Sequence, residues 1–289
     1  MPTAPNDLES SKADPALEST LAQLDADLRG TGSLLVAFSG GADSAFLLAA
    51  AVRALGVDHV VAATAVSPSL PAVELTAARA FAARLGVRHE TPPTRELLRE
   101  GYRANAGDRC FSCKAELLDV LGPLAARLGL AHTATGTNAD DARAGFRPGI
   151  RAAADRGART PLRDAGLTKE QVRAASRSWG LDTWDKPAAA CLSSRIAYGV
   201  PVTAAGLARV ERAEIALRLA LAAAGHAVRD LRVRDLGGGV ARVEVDRELV
   251  VAVPAYTSVV EGFTSVEVDP RGFRSGSMHE LLAEPARYR

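Results

Sequence analysis

The sequence predicts an α/β fold: a doubly wound parallel sheet over most of the chain, then a smaller C-terminal α+β domain. Three observations predict it. From Leu34 to about Gly149, short β-branched runs alternate with longer helical ones, the order of a βαβα chain with parallel strands. Gly56 and Gly86 close two of the helical runs, where a helix C-terminus favours glycine, and Pro71 stands near the start of another. Beyond Pro201 the order becomes helix, two strands, helix, strand, which suits a separate α+β unit.

Taken in order, the opening stretch MPTAPNDLESSKADP is polar, contains Pro and lacks the basic-then-apolar pattern of a signal peptide, so residues 1–16 are expected to be a disordered lead-in. LLVAF (34–38) reads as the first strand and SAFLLAAAVRALG (44–56) as the helix after it. VVAATAV (60–66) and PAVELTAARAFAARLG (71–86) repeat the pair. KAELLDVLGPLAARLG (114–129) is a further helix, and AHTATGTNADD (131–141) reads as a strand running into a polar loop. Arg151 to Val200 is a connector, rich in Arg, Asp and Pro, around one clear helix, TKEQVRAASRSWG, capped by Thr168. A long Ala-, Leu- and Arg-rich helix then reaches about Ala224; LRVRDLGGGVARVEV (231–245) reads as a hairpin turning at Gly237–Gly239, LVVAVPAYTSVVEGF (249–263) as an apolar helix and SVEVD (265–269) as the last strand. The expected division is 17–200 and 201–289.

Lys plus Arg, 35, nearly equals Asp plus Glu, 34, so no overall field steers the protein to nucleic acid or acidic lipid. No apolar stretch approaches the roughly 20 residues that span a bilayer, and the chain is expected in the cytoplasm. The cysteines number 3, an odd count that argues for metal-bound, catalytic or buried thiols over a disulfide framework.

Between the first strand and its helix lies SGGADS, residues 39–44. Two glycines here let backbone N–H groups approach an anion, and the helix N-terminus aims a partial positive charge at the same place. Phosphate is the natural guest. Ser39 and Ser44 add hydroxyl donors, and Asp43 suits a Mg²⁺ ion bridging phosphates. The loop lacks the lysine of a Walker motif, which disfavours that class of hydrolase or kinase. Ligands of open parallel sheets bind outside the carboxyl ends of the strands, so SGGADS and GTNADD, with Asn138 and Asp140, should line one crevice.

DRCFSCKAELL sets Cys110 and Cys113 in C-x-x-C spacing at a helix start, where the dipole favours thiolates. Cys191 lies in WDKPAAACLSSRIAYG, with Lys186 and Arg195 near enough in sequence to lower its pKa. Three readings compete: buried small hydrophobes, a zinc site completed by His89 or His132, or an iron–sulfur cluster held by three thiolates with one iron open.

The SGGADS loop closely resembles the S-G-G-x-D-S loop of the PP-loop ATP pyrophosphatases, which transfer AMP from ATP and release pyrophosphate. That resemblance implies an adenine nucleotide alpha hydrolase-like fold, with Ser39, Gly40, Gly41, Asp43 and Ser44 around the β- and γ-phosphates. GTNADD, RPG, TPL, TKEQVRAASRSWGL, WDKPAAACLSSRIAYG, ARVEV and RGFRSGSM are together similar to the sulfur transferases of nickel-pincer cofactor synthesis, the LarE family. The likeness runs from about residue 17 over nearly the whole chain.

It implies that ATP adenylates the carboxylates of pyridinium-3,5-biscarboxylic acid mononucleotide and that sulfur then displaces AMP, giving the precursor of a cofactor that takes up nickel and serves lactate racemase. The family uses two sulfur sources. In one, the cysteine matching Cys191 surrenders its own sulfur; in the other, three cysteines hold a [4Fe-4S] cluster that delivers sulfide. Cys110, Cys113 and Cys191 fit the second. The resemblance also implies substrate contacts by Ser194, Arg195 and Glu214 and supports a phosphate clamp by Arg232 and Arg234, which alternate on one strand face. Arg147 is a further phosphate candidate, and the family forms homo-hexamers. Two rivals remain: tRNA thiolation, against which stand the near-neutral charge and scarce aromatics, and a nucleotide sensor without chemistry.

Overall fold

The computed structural model describes residues 14–143, 148–187 and 190–281. Its elements run α1 (Pro15–Arg29), β1 (Leu34–Ala37), α2 (Ala42–Leu55), β2 (Val60–Ala63), α3 (Ala72–Arg84), β3 (Arg88–Glu90), α4 (Glu100–Arg103), α5 (Arg109–Arg127), β4 (His132–Thr135), α6 (Ala139–Arg143), α7 (Pro148–Ala154), α8 (Pro161–Asp164), α9 (Lys169–Ser178), α10 (Ala204–Ala223), β5 (Leu231–Asp235), β6 (Val240–Val245) and β7 (Ser265–Val268).

β3, β2, β1 and β4 form one sheet in that order, every pair parallel. The central strands are apolar on both faces, as a strand covered from two sides must be. Leu34, Val36 and Phe38 pack with α1, α2, α3 and α9, while Leu35 and Ala37 face Leu121, Leu124 and Ala125 of α5. The second sheet is mixed: β5 and β6 are antiparallel, β7 joins β6 in parallel, and α10 covers one face with Ala213, Leu217 and Leu221. The α/β class and the separate small sheet therefore agree with expectation. Gly237–Gly239, all at positive φ, make the β5–β6 turn. Among the described residues no helix is long and apolar enough to cross a membrane.

Three expectations need correction, and one strand was not anticipated. α1 begins at Pro15, with the Asp14 side chain accepting from the Ala16 N–H at 3.0 Å, so residues 15 and 16 are helical rather than lead-in; residues 1–13 lie outside the described residues. The stretch 249–263 is not an α-helix but ends one 3₁₀ turn and contains another, Val253–Val259, because Pro254 donates no N–H and the β-branched residues around it favour helix poorly. The connector holds α8 as well as α9, together with most of α7. β3, only Arg-His-Glu, has no apolar run to announce it.

Candidate functional site

SGGADS joins β1 to α2 at the carboxyl edge of the sheet. Gly40 sits at φ 74°, a conformation only glycine adopts without strain, and Gly41 caps α2 in extended backbone. Ser39 and Ser44 share a hydroxyl hydrogen bond of 3.1 Å, and Ser44 also donates to the Gly41 carbonyl at 3.1 Å. β4 ends beside this loop at Gly136, where a Cβ would lie 2.8 Å from the Ser44 nitrogen, so two backbones meet where no side chain fits. The space outside these strand ends is a cavity of about 540 Å³, bordered by Ser39, Asp43, Thr137 and Cys110 among others.

Asp43 points a buried Oδ1 that has no hydrogen-bond partner among the described residues. Burial raises the pKa of its carboxyl, against the charge of Lys169 and a hydrogen bond from Asn138 that lower it. An orphaned carboxylate oxygen beside an anion-binding loop fits a magnesium ion, which takes oxygen ligands and keeps several for phosphate and water. Asn138 is buried and anchors the turn, accepting from the Asp141 N–H at 2.9 Å. Asp140 turns away: it is exposed and accepts from the Lys169 N–H at 2.8 Å, holding the start of α9, while Asp141 lines the cavity. Arg147 lies outside the described residues.

Four cations border the cavity that the motif reading did not assign to it: Lys114, Lys169, Arg173 and Lys186. Lys169 and Arg173 are one turn apart on α9, a spacing that places them on one face. Burial lowers the Lys114 pKa, while Cys113, Cys110 and Asp141 raise it. Lys186 donates to the Gly40 carbonyl at 3.0 Å and to Glu74 at 2.7 Å.

Cys110 sits in the first turn of α5 and Cys113 just after it, and Cys191 precedes a 3₁₀ turn, Leu192–Arg195. None of the three is in a disulfide; Cys110 is exposed and the other two are half-buried. The Cys113 thiol is pushed up to about 12, by burial foremost and then by Cys191, Glu96 and Cys110, so burial overrides the helix-start effect and the thiols lie within reach of one another's charge. Behind them the Tyr102 hydroxyl bonds Ser69 at 2.6 Å and also Ser193. The Leu192 N–H donates to the Ser69 carbonyl at 2.8 Å, and Arg109 holds the Ser193 carbonyl at 2.9 Å, which fixes the Cys191 loop.

The histidines do not complete a zinc site. His132 opens β4 opposite Leu34, at the far end of the sheet, and His89 is bonded to Thr64 at 2.8 Å. Among the described residues no three His, Cys, Asp or Glu side chains are grouped to share one ion. Among the described residues the thiols are linked through Cys113, whose titration feels both Cys191 and Cys110, and an all-thiolate set is the donor chemistry that an iron–sulfur core takes.

A second cavity, about 460 Å³, lies between α3, the Cys191 loop and the second sheet, and Lys186 and Pro187 border both cavities. Arg195 lines it but is committed to a bidentate pair with Glu214, at 2.9 and 3.1 Å, and to the Cys191 carbonyl at 3.1 Å. It therefore braces the Cys191 backbone, and Lys186 likewise bonds elsewhere than the thiol. Glu214 is no surface charge, since it also accepts from the Val233 N–H at 3.0 Å. Ser194 donates to the Cys191 carbonyl at 2.8 Å.

Arg232 lines the second cavity over the Phe273 ring, and burial, with Arg195 beside it, lowers its pKa to about 10. Arg234 is bound instead to Glu244 at 2.7 Å and to the Ser194 carbonyl at 3.1 Å, so the two arginines separate into a cavity group and a brace.

No protein-family model matches the chain. It is 42% identical over 258 residues, covering 86% of this chain and 93% of the relative, to an uncharacterized protein of Synechocystis sp.. It is 32% identical over 269 residues, 91% of this chain and 95% of the relative, to a protein of Lactiplantibacillus plantarum named pyridinium-3,5-bisthiocarboxylic acid mononucleotide synthase.

Proposed function

The chain belongs to the pyridinium-3,5-bisthiocarboxylic acid mononucleotide synthase family, LarE, and from that premise we propose that it is a cytoplasmic, AMP-forming sulfur transferase with a PP-loop fold. Its substrate is pyridinium-3,5-biscarboxylic acid mononucleotide. A carboxylate is a poor electrophile because oxide would have to leave; transfer of AMP to its oxygen supplies a stabilised leaving group. In the first step the carboxylate oxygen bonds to the α-phosphorus and the bond to the bridging oxygen breaks, releasing pyrophosphate. In the second a sulfur nucleophile adds to the acyl carbon and AMP departs.

Ser39, Gly40, Gly41 and Ser44 supply donors to the β- and γ-phosphates. Asp43, with Asn138 beside it, would hold magnesium, which supplies charge neutralisation. Cys110, Cys113 and Cys191 would hold a [4Fe-4S] cluster, which when bound supplies an open iron that carries transferable sulfide. Arg232, Arg195 and Glu214 form the wall against which the pyridinium mononucleotide is placed, while Ser194 steadies the Cys191 loop behind it and Arg234 braces that loop through the Ser194 carbonyl and Glu244. A homo-hexamer is the assembly this family membership suggests.

The observation that carries the reading is that one cavity has the SGGADS loop at one side and Cys110, whose charge reaches Cys113, at another. Anaerobic purification with iron and sulfide quantitation, followed by intact mass before and after reaction with ATP and substrate, tests it. About four irons per chain, lost in both Cys110→Ala and Cys191→Ala, with unchanged mass after turnover, is the expected result. Absence of iron with loss of an H₂S mass would instead assign the sulfur to Cys191 itself, and no release of AMP and pyrophosphate would overturn the enzymatic reading.

A further inference from the structure

The two cavities meet at Lys186, whose side chain is 21% exposed and lies in neither wall alone. On one side its ammonium donates to the carbonyl of Gly40, inside the pyrophosphate loop; on the other it is paired with Glu74 of α3. The proposed reaction, on which this inference rests, requires two anions to meet: the α-phosphate, coming from the loop side, and the substrate carboxylate, coming from the side of Arg232. Their meeting point is the junction. Arg195, a cation lining the second cavity, has its guanidinium taken up by Glu214 and backbone carbonyls. Lys169 and Arg173 border the nucleotide cavity only.

We propose that Lys186 is a catalytic residue of the adenylation step. Its ammonium contacts the α-phosphate oxygens as the carboxylate oxygen bonds to phosphorus and the bond to the bridging oxygen breaks. The electron pair leaves with pyrophosphate, and Lys186 keeps its proton throughout. An ammonium on a flexible stem suits this role, because it can turn from Glu74 to the phosphate without disturbing the loop carbonyl. Charge placed where the transition state gains it lowers the barrier more than charge that binds ground-state ATP.

A merely structural strut between α3 and the loop would make Glu74 as important as Lys186. The test therefore compares Lys186→Met with Glu74→Met, reading substrate-dependent pyrophosphate release, affinity for a non-hydrolysable ATP analogue, and thermal midpoint. Lys186→Met is expected to lower kcat for pyrophosphate release about a hundredfold or more, with analogue affinity changed far less. Glu74→Met, which loses only an ion pair, is expected to cost less than about fivefold.

Retention of kcat by Lys186→Met, or equal damage from Glu74→Met, would overturn the proposal. If Lys186→Met does not fold, the double Met variant, which removes both charges together, is measured against Glu74→Met in its place. Failure of the unaltered protein to release pyrophosphate with substrate would strike the functional reading first, which separates the two failures.

Discussion

Gly136 shows how little room the nucleotide loop leaves. A methyl there would press on the Ser44 nitrogen at 2.8 Å and its Cα at 2.9 Å, both backbone atoms that cannot swing aside. Gly136→Ala is expected to destabilise the fold by about 1–3 kcal/mol, read by chemical denaturation, and to weaken ATP binding by shifting the first turn of α2. Asp43→Asn keeps the shape but not the charge of the orphaned oxygen; magnesium-dependent pyrophosphate release should fall by about a hundredfold or more, and a normal rate would remove Asp43 from the chemistry. Asp43 and the cysteines were legible because their spacing is distinctive. Lys114, Lys169 and Arg173 were not, because a basic residue on a helix looks the same in sequence whether it meets solvent or a cleft.

Among the elements, Thr64, just beyond β2, and His89 of β3 share a part-buried hydrogen bond. Burial and Arg79 lower the His89 pKa below its ordinary 6.5. The unfolded chain therefore takes up a proton at a higher pH than the folded one. This contribution to stability is complete above about 6.5 and is lost as pH falls through the window beneath it. A denaturation series across that window should show a slope that His89→Gln flattens; an unchanged slope would mean that His89 titrates alike in both states. β3 escaped sequence reading because its three polar residues give no alternation, whereas β1 and β2, wholly buried, stood out. The start of α9 was readable to the residue from Thr168, which with Gln171 forms a capping box. The 249–263 stretch misled because apolar content outweighed the backbone effect of Pro254.

Over the whole molecule, two cores are joined by a third. Tyr102 and Leu192 from the first half pack with Ile196, Val202, Leu207 and Val210 leading into and along α10. The Val202 N–H donates to the Arg103 carbonyl, and Ala197 to Asp235, so residues around Pro201 lie within a shared core rather than an open linker. Leu207→Ala is expected to cost about 2–5 kcal/mol and to lower the iron content with it; unaltered iron in a destabilised protein would mean that the seam does not govern the thiols. Composition announced two units but not this seam, because a short apolar stretch does not say which core it will join. The loop of Cys191 hangs from both units, from Ser69 on one side and, through Ala197, from Asp235 on the other. Two of the three sulfurs belong to one half and the third to the border. The proposed cluster therefore needs both halves in one chain: neither expressed alone should retain iron, and a protease nick near this loop should disarm the protein without unfolding either part.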